Sequence, residues 1–304
     1  RSGCPSLAGA LTGSRALPRG RQFAGKPLAR SQEVPMRALR LLMLLMTMVA
    51  SSILPDRVLL AQPAASRLER IKAAGRMRVC IWPDYYSITY RNPKTQILAG
   101  IDIDLAGELG KELGVSVEFV DSSFARLIDD VVKEHCDVAM FAVGITPSRA
   151  AYLRFTSPYL ASDIYAITSR TNRRITDWQQ IDQAGSIVAV AKGTLHEQVM
   201  KGKLRSAQLV VLDTPFAREQ EVQSGRADVF MTDYPYSQRF LASAEWARLI
   251  APPATYHVTS YAYAVKPGDD PWHTRLERFV ADIKRDGRLL AAARRHKLEA
   301  IVAQ

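Results

Sequence analysis

The sequence predicts an α/β fold of two units, each a mostly parallel sheet flanked by helices. Between residues 66 and 143, helical patterns alternate with short apolar strand patterns, three of each. Such alternation with short links favours a parallel sheet with helices on both faces. A second series of strands and helices follows over 165–265. With 304 residues, the chain is long enough for two domains that each bury a core.

The first series starts with a helix at 66–75, which has serine at its start and glycine at its end. A strand at 78–81 and a hairpin-like turn at 90–97 come next. Apolar spacing and capping residues then predict the remaining elements of this half. They are a helix capped by Asp102 or Asp104, a strand at 115–120, a helix at 123–133 and a strand at 138–143.

The second series repeats the architecture without repeating the sequence. Strands are predicted at 165–169, 186–191, 209–212, 228–231 and 261–265. Helices are predicted from near His196, at 215–224, 236–241, 272–285 and 289–300, with a short element at 178–181. His196 and Glu197 are interpreted as surface positions of the first of these helices, and contact with a ligand from the turn before it is the alternative.

The N-terminal part indicates export. Residues 1–35 are rich in Gly, Ser, Arg and Pro, and we interpret them as a disordered or non-native leader. From Met36, a basic start, an apolar run at 41–53 and small residues up to 65 predict a signal peptide at 36–65. The predicted location is therefore periplasmic, and an uncleaved anchor is the alternative.

Charge argues against a nucleic-acid partner. The formal net charge of +11 is concentrated in residues 1–61, which hold nine Lys or Arg and two acidic residues. The remainder carries about +4. Arg and Lys do not cluster with aromatic residues there, as they would on a nucleic-acid-binding face.

Two cysteines remain after the signal, Cys80 and Cys136. Cys80 lies in the first predicted strand and Cys136 just before the strand at 138–143. If these strands are neighbours in one sheet, the sulfurs can lie within bonding reach in an oxidising compartment. Two buried free thiols are the alternative, and the pattern predicts no metal site.

The strand at 138–143 leads into Thr146-Pro147-Ser148-Arg149. Thr146 is a plausible N-cap and Pro147 suits a first helical turn, which places Arg149 at a helix start beyond the strand's carboxyl end. The helix dipole disfavours a cation there, so Arg149 makes sense if an anion such as a carboxylate arrives from outside. A surface arginine on a short helix is the alternative.

This segment, in which five residues separate TPSR from FTSPY, resembles the signature of family 3 solute-binding proteins. These are the periplasmic amino-acid receptors of ABC importers. The segments RVCI, AGIDIDLAGELGKELGVSVEFV, SFARLID and CDVAM match the family's first lobe in order. The resemblance implies the two-lobed type II periplasmic-binding-protein fold, with two crossovers. Lobe one would span 66–163 and 261–304, and lobe two 164–260.

The resemblance also implies a ligand site. Arg149 would bind the ligand's α-carboxylate together with Thr194 of the Gly193-Thr194 turn, whose N–H groups and hydroxyl suit an anion. Asp233, on the opposite lobe, would hold the ammonium group. The two charges would face each other across a solvent gap wide enough for a small zwitterion. A helix N-cap is the alternative role of Asp233.

Three aromatic residues, Trp82, Tyr85 and Phe124, match the positions that wall the ligand side chain in the family, and core packing is their alternative role. The sequence departs from the family at two positions next to the signature. Ala142 stands where glycine is frequent, and Gly144 stands where a hydroxyl is frequent. Gly144 removes one side-chain contact to a ligand, which puts the ligand class in doubt.

The resulting prediction is a monomeric amino-acid-binding protein without cofactor or catalysis, which delivers its ligand to an inner-membrane ABC permease. One alternative is an enzyme resembling periplasmic cyclohexadienyl dehydratases, which share this fold. Their general-acid glutamate is matched by Ser260 here. Another alternative is an accessory or sensory binding protein, of the kind associated with periplasmic dehydrogenases.

Overall fold

The structure is a computed structural model that describes residues 65–303. The predicted leader, and the predicted signal peptide up to residue 64, lie outside the described residues. None of the helices within 65–303 has the length and apolar character needed to cross a bilayer. The described residues belong to one compact unit.

The strands of the described chain are mostly short and fall into two main sheets. In chain order they are β1 (Arg76–Ile81), β2 (Tyr90–Arg91), β3 (Leu98–Ala99), β4 (Ser116–Asp121), β5 (Val138–Gly144), β6 (Arg154–Phe155), β7 (Leu160–Ser162), β8 (Ile164–Ser169), β9 (Ile187–Ala191), β10 (Gln208–Leu212), β11 (Val229–Asp233), β12 (Ala247–Ile250) and β13 (Thr259–Val265). Strands β2 and β3 form a separate hairpin.

The α-helices lie mainly between consecutive strands, as the alternating pattern predicts. They are α1 (Arg67–Ala74), α2 (Ile101–Leu113), α3 (Leu127–Val132), α4 (Pro147–Ala150), α5 (Leu195–Lys203), α6 (Ala217–Gln223), α7 (Tyr234–Leu241), α8 (Asp270–Arg285) and α9 (Arg288–Arg295). Two 3₁₀ turns, Trp178–Gln180 and Glu299–Ile301, complete the set described.

The first sheet has the strand order β4-β1-β5-β13-β6, with β7 also paired to β13. Strands β4, β1 and β5 run parallel, and β13 returns antiparallel to β5. All seven residues of β5 are buried, as expected for a central strand covered on both faces. The residues that follow the carboxyl end of β5 are therefore positioned by a strand that is fixed in the core.

The second sheet has the order β10-β9-β11-β8-β12. Strands β10, β9 and β11 are parallel, whereas β8 and β12 pair antiparallel. The chain enters this sheet from β7 through Asp163 and returns to the first sheet at β13. The strands are thus assigned to sheets, whereas the predicted lobe boundaries at 163/164 and 260/261 remain a prediction.

Three differences from the sequence-based elements have physical reasons. Helix α2 begins directly after Gly100, and neither Asp102 nor Asp104 caps it, because Asp102 is drawn into the core. The helix predicted at 123–133 is shorter, since its first residues form turns. The two- to four-residue strands β6, β7 and β12 are too short to show a period of two.

Cys80 and Cys136 form a disulfide with a Cα–Cα distance of 5.5 Å. Strand β1 pairs with β5 through Cys80 and Ala139, and this pairing brings Cys136, two residues before β5, next to Cys80. Both residues are buried in the core of the first sheet. The disulfide therefore links two neighbouring strands on the sheet that carries Arg149.

Candidate functional site

Arg149 lies just beyond the carboxyl end of β5, where the signature segment turns into α4. Thr146 caps this helix by accepting the N–H of Arg149 at 3.3 Å, and Pro147 occupies its first turn. The side chain of Arg149 is 5% exposed. Burial lowers the pKa of Arg149 to about 10, which leaves the guanidinium charged at neutral pH.

The guanidinium of Arg149 is held by protein carbonyl groups. Its Nη1 donates to the carbonyl of Gly144 at 2.9 Å, and its Nη2 donates to the carbonyl of Gly193 at 3.0 Å. Gly193 belongs to the turn after β9, so the second bond joins the two sheets. The guanidinium also lies 5.1 Å from the ring centre of Phe124, within cation–π range.

Asp233 ends β11 in the second sheet and caps α7, since it accepts the N–H of Tyr236 at 3.1 Å. Its other carboxylate oxygen accepts hydrogen bonds from the hydroxyls of Tyr85 and Tyr261. Tyr85 lies in the loop after β1 and Tyr261 in β13, so both are on the side of the first sheet. Burial raises the pKa of Asp233, and the hydrogen bonds oppose that shift. The carboxylate thus has both a capping role and partners across the cleft.

Arg149 and Asp233 line one cavity, but the expected solvent gap between them is closed. The cavity measures about 20 Å³, which is room for about one water molecule. In its place the two charged groups bond to carbonyls and tyrosine hydroxyls, because buried charges need hydrogen-bond partners. The cavity can hold a molecule as large as an amino acid only after these contacts open.

The three predicted aromatic residues come together at this cavity. The rings of Trp82 and Phe124 lie 5.3 Å apart, and Tyr85 lies 5.4 Å from Trp82 and 5.9 Å from Phe124. Tyr85 is buried, whereas Trp82 and Phe124 are half-buried and also border a second cavity of about 310 Å³. They therefore form a wall shared by the closed cavity and the larger space beside it.

Ala142 also lines the closed cavity, and its backbone is unusual. Its φ is +49°, a left-handed conformation that a residue with a Cβ rarely adopts. Its N–H donates to Asp102 Oδ2 at 2.9 Å, and the pairing of β5 with β13 shifts in register at this point. Asp102 therefore holds a bulge in the strand that leads to Arg149.

Gly144 leaves room beside Arg149. A Cβ at this position would lie 3.4 Å from Arg149 Nη1 and 3.1 Å from Thr259 Cγ2. A side chain at this position would therefore press on Thr259 and contact the guanidinium of Arg149 in this arrangement. The carbonyl of Gly144 makes the contact to Arg149 instead.

Gly193 and Thr194 form the turn between β9 and α5. Thr194 caps α5, with its hydroxyl accepting the N–H of Glu197 at 3.4 Å and donating to the carbonyl of Ala191 at 2.6 Å. The N–H of Gly193 donates to Glu197 Oε2 at 2.6 Å. In this closed arrangement, the anion-binding groups expected of the turn are engaged by the protein itself.

Gly193 also packs closely against the backbone of Phe124 and Ala125, in the loop that follows β4. Its φ is +76°, and a Cβ there would lie 2.4 Å from the backbone nitrogen of Ala125. Any other residue would clash with backbone atoms that cannot swing away. The glycine is thus required by the closed arrangement as well as by the turn.

Several residues at the cavity escaped sequence reasoning. Tyr261 lies inside a strand pattern that gives no sign of its partner in the other sheet. Arg218 of α6 also lines the cavity, and its Nε donates to Glu219 at 2.7 Å while its guanidinium packs 4.5 Å from the ring centre of Tyr236. Helical periodicity alone does not identify a buried arginine that is paired with its sequence neighbour.

The surface position that the sequence pattern favours for His196 is wrong, and the residue lies at the cleft, as its alternative interpretation has it. It is 8% exposed and lines the closed cavity at the first turn of α5. A short helix that begins at the cleft turns its first residues inward, which the pattern does not reveal. Across residues 65–303, no cluster of three or more His, Cys, Asp or Glu side chains is arranged to hold a metal ion.

A family model described as bacterial extracellular solute-binding proteins, family 3, matches residues 77–298. A cyclohexadienyl dehydratase of Pseudomonas aeruginosa is 32% identical over 173 residues, which are 57% of this chain and 64% of that protein. A putative ABC transporter arginine-binding protein 2 of Escherichia coli is 26% identical over 209 residues, 68% of this chain and 83% of that protein.

A membrane-bound lytic murein transglycosylase F of Alcanivorax borkumensis is 26% identical over 237 residues, 76% of this chain. The chain spans 49% of that transglycosylase and 64% of the dehydratase, less than two thirds of either protein.

Solved structures confirm the predicted type II fold. An ancestral amino acid-binding protein, a precursor of cyclohexadienyl dehydratase, aligns with a TM-score of 0.69 and 27% identity over 76% of this chain and 99% of that chain. A solute receptor for L-cysteine of Neisseria gonorrhoeae aligns with a TM-score of 0.72 and 23% identity over 79% of this chain and 100% of that chain.

Proposed function

The chain belongs to the bacterial extracellular solute-binding proteins of family 3, and we propose that it captures a free amino acid between its two sheets. Arg149 would bind the α-carboxylate and Asp233 the ammonium group. Closure would then be stabilised by contacts that the ligand makes to both sides.

One observation carries this proposal: a buried guanidinium and a buried carboxylate from different sheets line the same cavity. Isolated charges are expensive to bury, so a protein retains such a pair where a ligand or a partner group meets it. Arg149 offers two donors to a carboxylate, and Asp233 offers an acceptor to an ammonium group. Their charges are opposite, which matches a zwitterion.

On entry, the ligand would replace hydrogen bonds that Arg149 and Asp233 already make to other protein groups, rather than hydrogen bonds to water. The carboxylate would replace the carbonyl of Gly193 at Arg149, and the ammonium would replace the hydroxyls of Tyr85 and Tyr261 at Asp233. Trp82 and Phe124, which line the closed cavity together with Arg149 and Asp233, would flank the side chain. Gly193 and Thr194 would complete the carboxylate site once the turn moves.

Delivery to an inner-membrane ABC permease from the periplasm completes the proposal. The arginine-binding relative of Escherichia coli is named as part of an ABC transporter, which supports this role. The closed form would be the one presented to the permease, with the chain acting as a monomer. The export signal predicted from Met36 would place it in the periplasm.

A dehydratase is the second candidate, favoured by the 32% identity to the Pseudomonas aeruginosa enzyme. The position that matches the general-acid glutamate of such enzymes is Ser260, a half-buried residue in β13. A serine hydroxyl is too weak an acid to replace a carboxyl in protonating a leaving group. Among the described residues that line the closed cavity, Asp233 is the acid that would have to act instead.

A thermal-shift screen of the purified protein against the twenty amino acids and small dicarboxylates tests the proposal, paired with a prephenate turnover assay. A bound amino acid raises the melting temperature because it binds the native state. We expect a shift with at least one amino acid and no prephenate turnover. Turnover would favour the dehydratase, and no shift with any amino acid would overturn the binding role.

A further inference from the structure

His196 is a buried histidine without a protein partner in the described structure. Neither of its ring nitrogens forms a hydrogen bond, although the residue is 8% exposed and lines the closed cavity. The hydroxyl of Thr232, which lines the same cavity, is also buried and unpartnered. Buried polar groups are nearly always bonded in native proteins, so orphan groups at a binding cleft indicate atoms that the ligand supplies.

The surroundings of His196 keep its ring neutral. Burial lowers the pKa of His196 to about 3, and the positive charges of Arg218 and Arg149 act in the same direction. The backbone of Thr232 acts in the opposite sense without meeting the geometry of a hydrogen bond. A neutral imidazole carries one donor and one acceptor, which suits a group able to do both.

We propose that His196 recognises the side chain of the ligand and that this side chain is an uncharged hydrogen-bonding group, an amide or a hydroxyl. The inference rests on the proposed amino-acid binding and extends it from the zwitterion to the side chain. Thr232 would supply a second polar contact next to His196. Primary amides satisfy both groups at once, because they donate and accept.

Charged side chains fit this part of the cavity poorly. A cationic group beside His196 would meet Arg149 and Arg218 in a buried environment, where like charges repel strongly. An acidic group would add a negative charge, while Arg218 is already paired with Glu219 and Arg149 is reserved for the α-carboxylate. The zwitterion alone balances Arg149 and Asp233.

The test compares L-glutamine, L-asparagine, L-serine and L-threonine with L-leucine, L-methionine, L-arginine and L-glutamate, by calorimetry on the wild type, His196→Leu and His196→Gln. We expect the wild type to prefer a polar neutral ligand over its apolar counterpart by on the order of 10- to 100-fold. His196→Leu should reduce this preference to within about threefold, and His196→Gln should restore part of it. His135→Leu, at a surface histidine of the first-sheet side, is the control that should keep it.

Stability separates recognition from a structural role. Because His196 has no protein partner, His196→Leu should leave the melting temperature of the ligand-free protein unchanged or raise it. Amino-acid binding with the same preference in His196→Leu, or a preferred ligand with a charged or apolar side chain, would overturn this inference and leave the proposed function intact. No binding of any amino acid to the wild type would overturn both.

Discussion

The hydroxyl of Tyr261 donates a hydrogen bond of 2.8 Å to the carboxylate of Asp233, although the two residues lie in strands of different sheets. Tyr85 donates to the same carboxylate oxygen from the loop after β1. The acid proposed to hold the ligand's ammonium is therefore already bonded across the cleft. Ligand binding becomes a competition with the protein's own hydroxyl groups.

Replacing Tyr261 with phenylalanine tests this competition. The buried carboxylate of Asp233 loses one donor, so the free energy of unfolding of the ligand-free protein should fall by about 1–3 kcal/mol. The ligand then displaces fewer protein bonds, and its Kd should fall several-fold. Calorimetry and denaturant unfolding measure the two effects. Tyr263→Phe, two residues along the same strand with its hydroxyl toward Asp102, should not change the Kd. Weaker ligand binding in Tyr261→Phe would contradict the competition.

Arg149→Ala should weaken amino-acid binding by about 2–4 kcal/mol, because a charged hydrogen-bonding partner is lost in a desolvated site. Arg149→Lys should recover only part of the loss, since a lysine cannot reproduce two parallel donors. Arg76→Ala, at the exposed opposite end of β1, is the control for a general loss of positive charge. Calorimetry with unchanged affinity in Arg149→Ala would remove the carboxylate assignment.

Gly193→Ala should prevent closure. The added Cβ would lie 2.4 Å from the backbone nitrogen of Ala125, and φ at this position is +76°. We expect at least a tenfold loss of affinity, and a radius of gyration by X-ray scattering that stays at its open value under saturating ligand. Gly202→Ala, at a helical glycine with open space around it, is the matched control. A compact Gly193→Ala protein with normal affinity would show that this approach is not needed for closure.

Asp102 makes stability depend on pH. Burial raises the pKa of Asp102 from 3.8 to about 7, against the lowering effects of Tyr159, Ala142 and Tyr263. The folded protein thus binds this proton more tightly than the unfolded chain, so the stabilising contribution is present below pH 3.8 and is lost as pH rises through 7. His196, with its pKa lowered to about 3, acts in the opposite sense between pH 6.5 and 3.

The variant Asp102→Asn isolates the Asp102 contribution. Between pH 4 and 7, the unfolding free energy of the wild type should fall relative to Asp102→Asn by up to about 1.4 kcal/mol per pH unit. The control is Asp129→Asn, at an exposed carboxylate beside Lys133, and the wild type should show no such fall relative to this variant. Parallel pH curves for the wild type and Asp102→Asn, from denaturant unfolding, would mean that Asp102 does not titrate in this range.

Removing the disulfide should destabilise the first sheet without altering ligand selectivity. The double variant Cys80→Ala, Cys136→Ala opens a loop with a sequence separation of 56, for which we expect a loss of about 2–4 kcal/mol. Thermal unfolding of the oxidised wild type and of the double variant measures this loss. Equal melting temperatures, or a changed order of preferred ligands, would contradict a purely stabilising role.

Much of the fold was predictable because the long buried strands and capped helices carry local signals. Val138–Gly144 is apolar throughout, and Ser66 and Gly75 mark both ends of α1. Thr146 and Pro147 set the start of α4, which places Arg149 at the cleft. The structure differs from the prediction where tertiary contacts override the local pattern. Asp102, for example, is buried in the core and does not cap α2.

The predicted aromatic wall and charged pair meet at one cavity, but their partners could not be predicted. Tyr261 and Arg218 reach the cavity only because β13 and α6 converge there, and no sequence spacing encodes that convergence. The closed gap was also beyond reach, since it depends on Gly193 meeting Ala125 across two sheets. Local chemistry identifies which residues can bind, whereas tertiary packing decides what they bind.

The bond between Arg149 and the carbonyl of Gly193 has a kinetic consequence. A protein that closes without a ligand must reopen before each binding event, because solute molecules cannot bind to the closed form. The observed association rate should therefore level off at high solute concentration, at the rate of spontaneous opening, instead of rising to the diffusion limit. If the rate observed by stopped flow instead rises linearly with solute concentration throughout, the ligand-free protein is almost entirely in its open form.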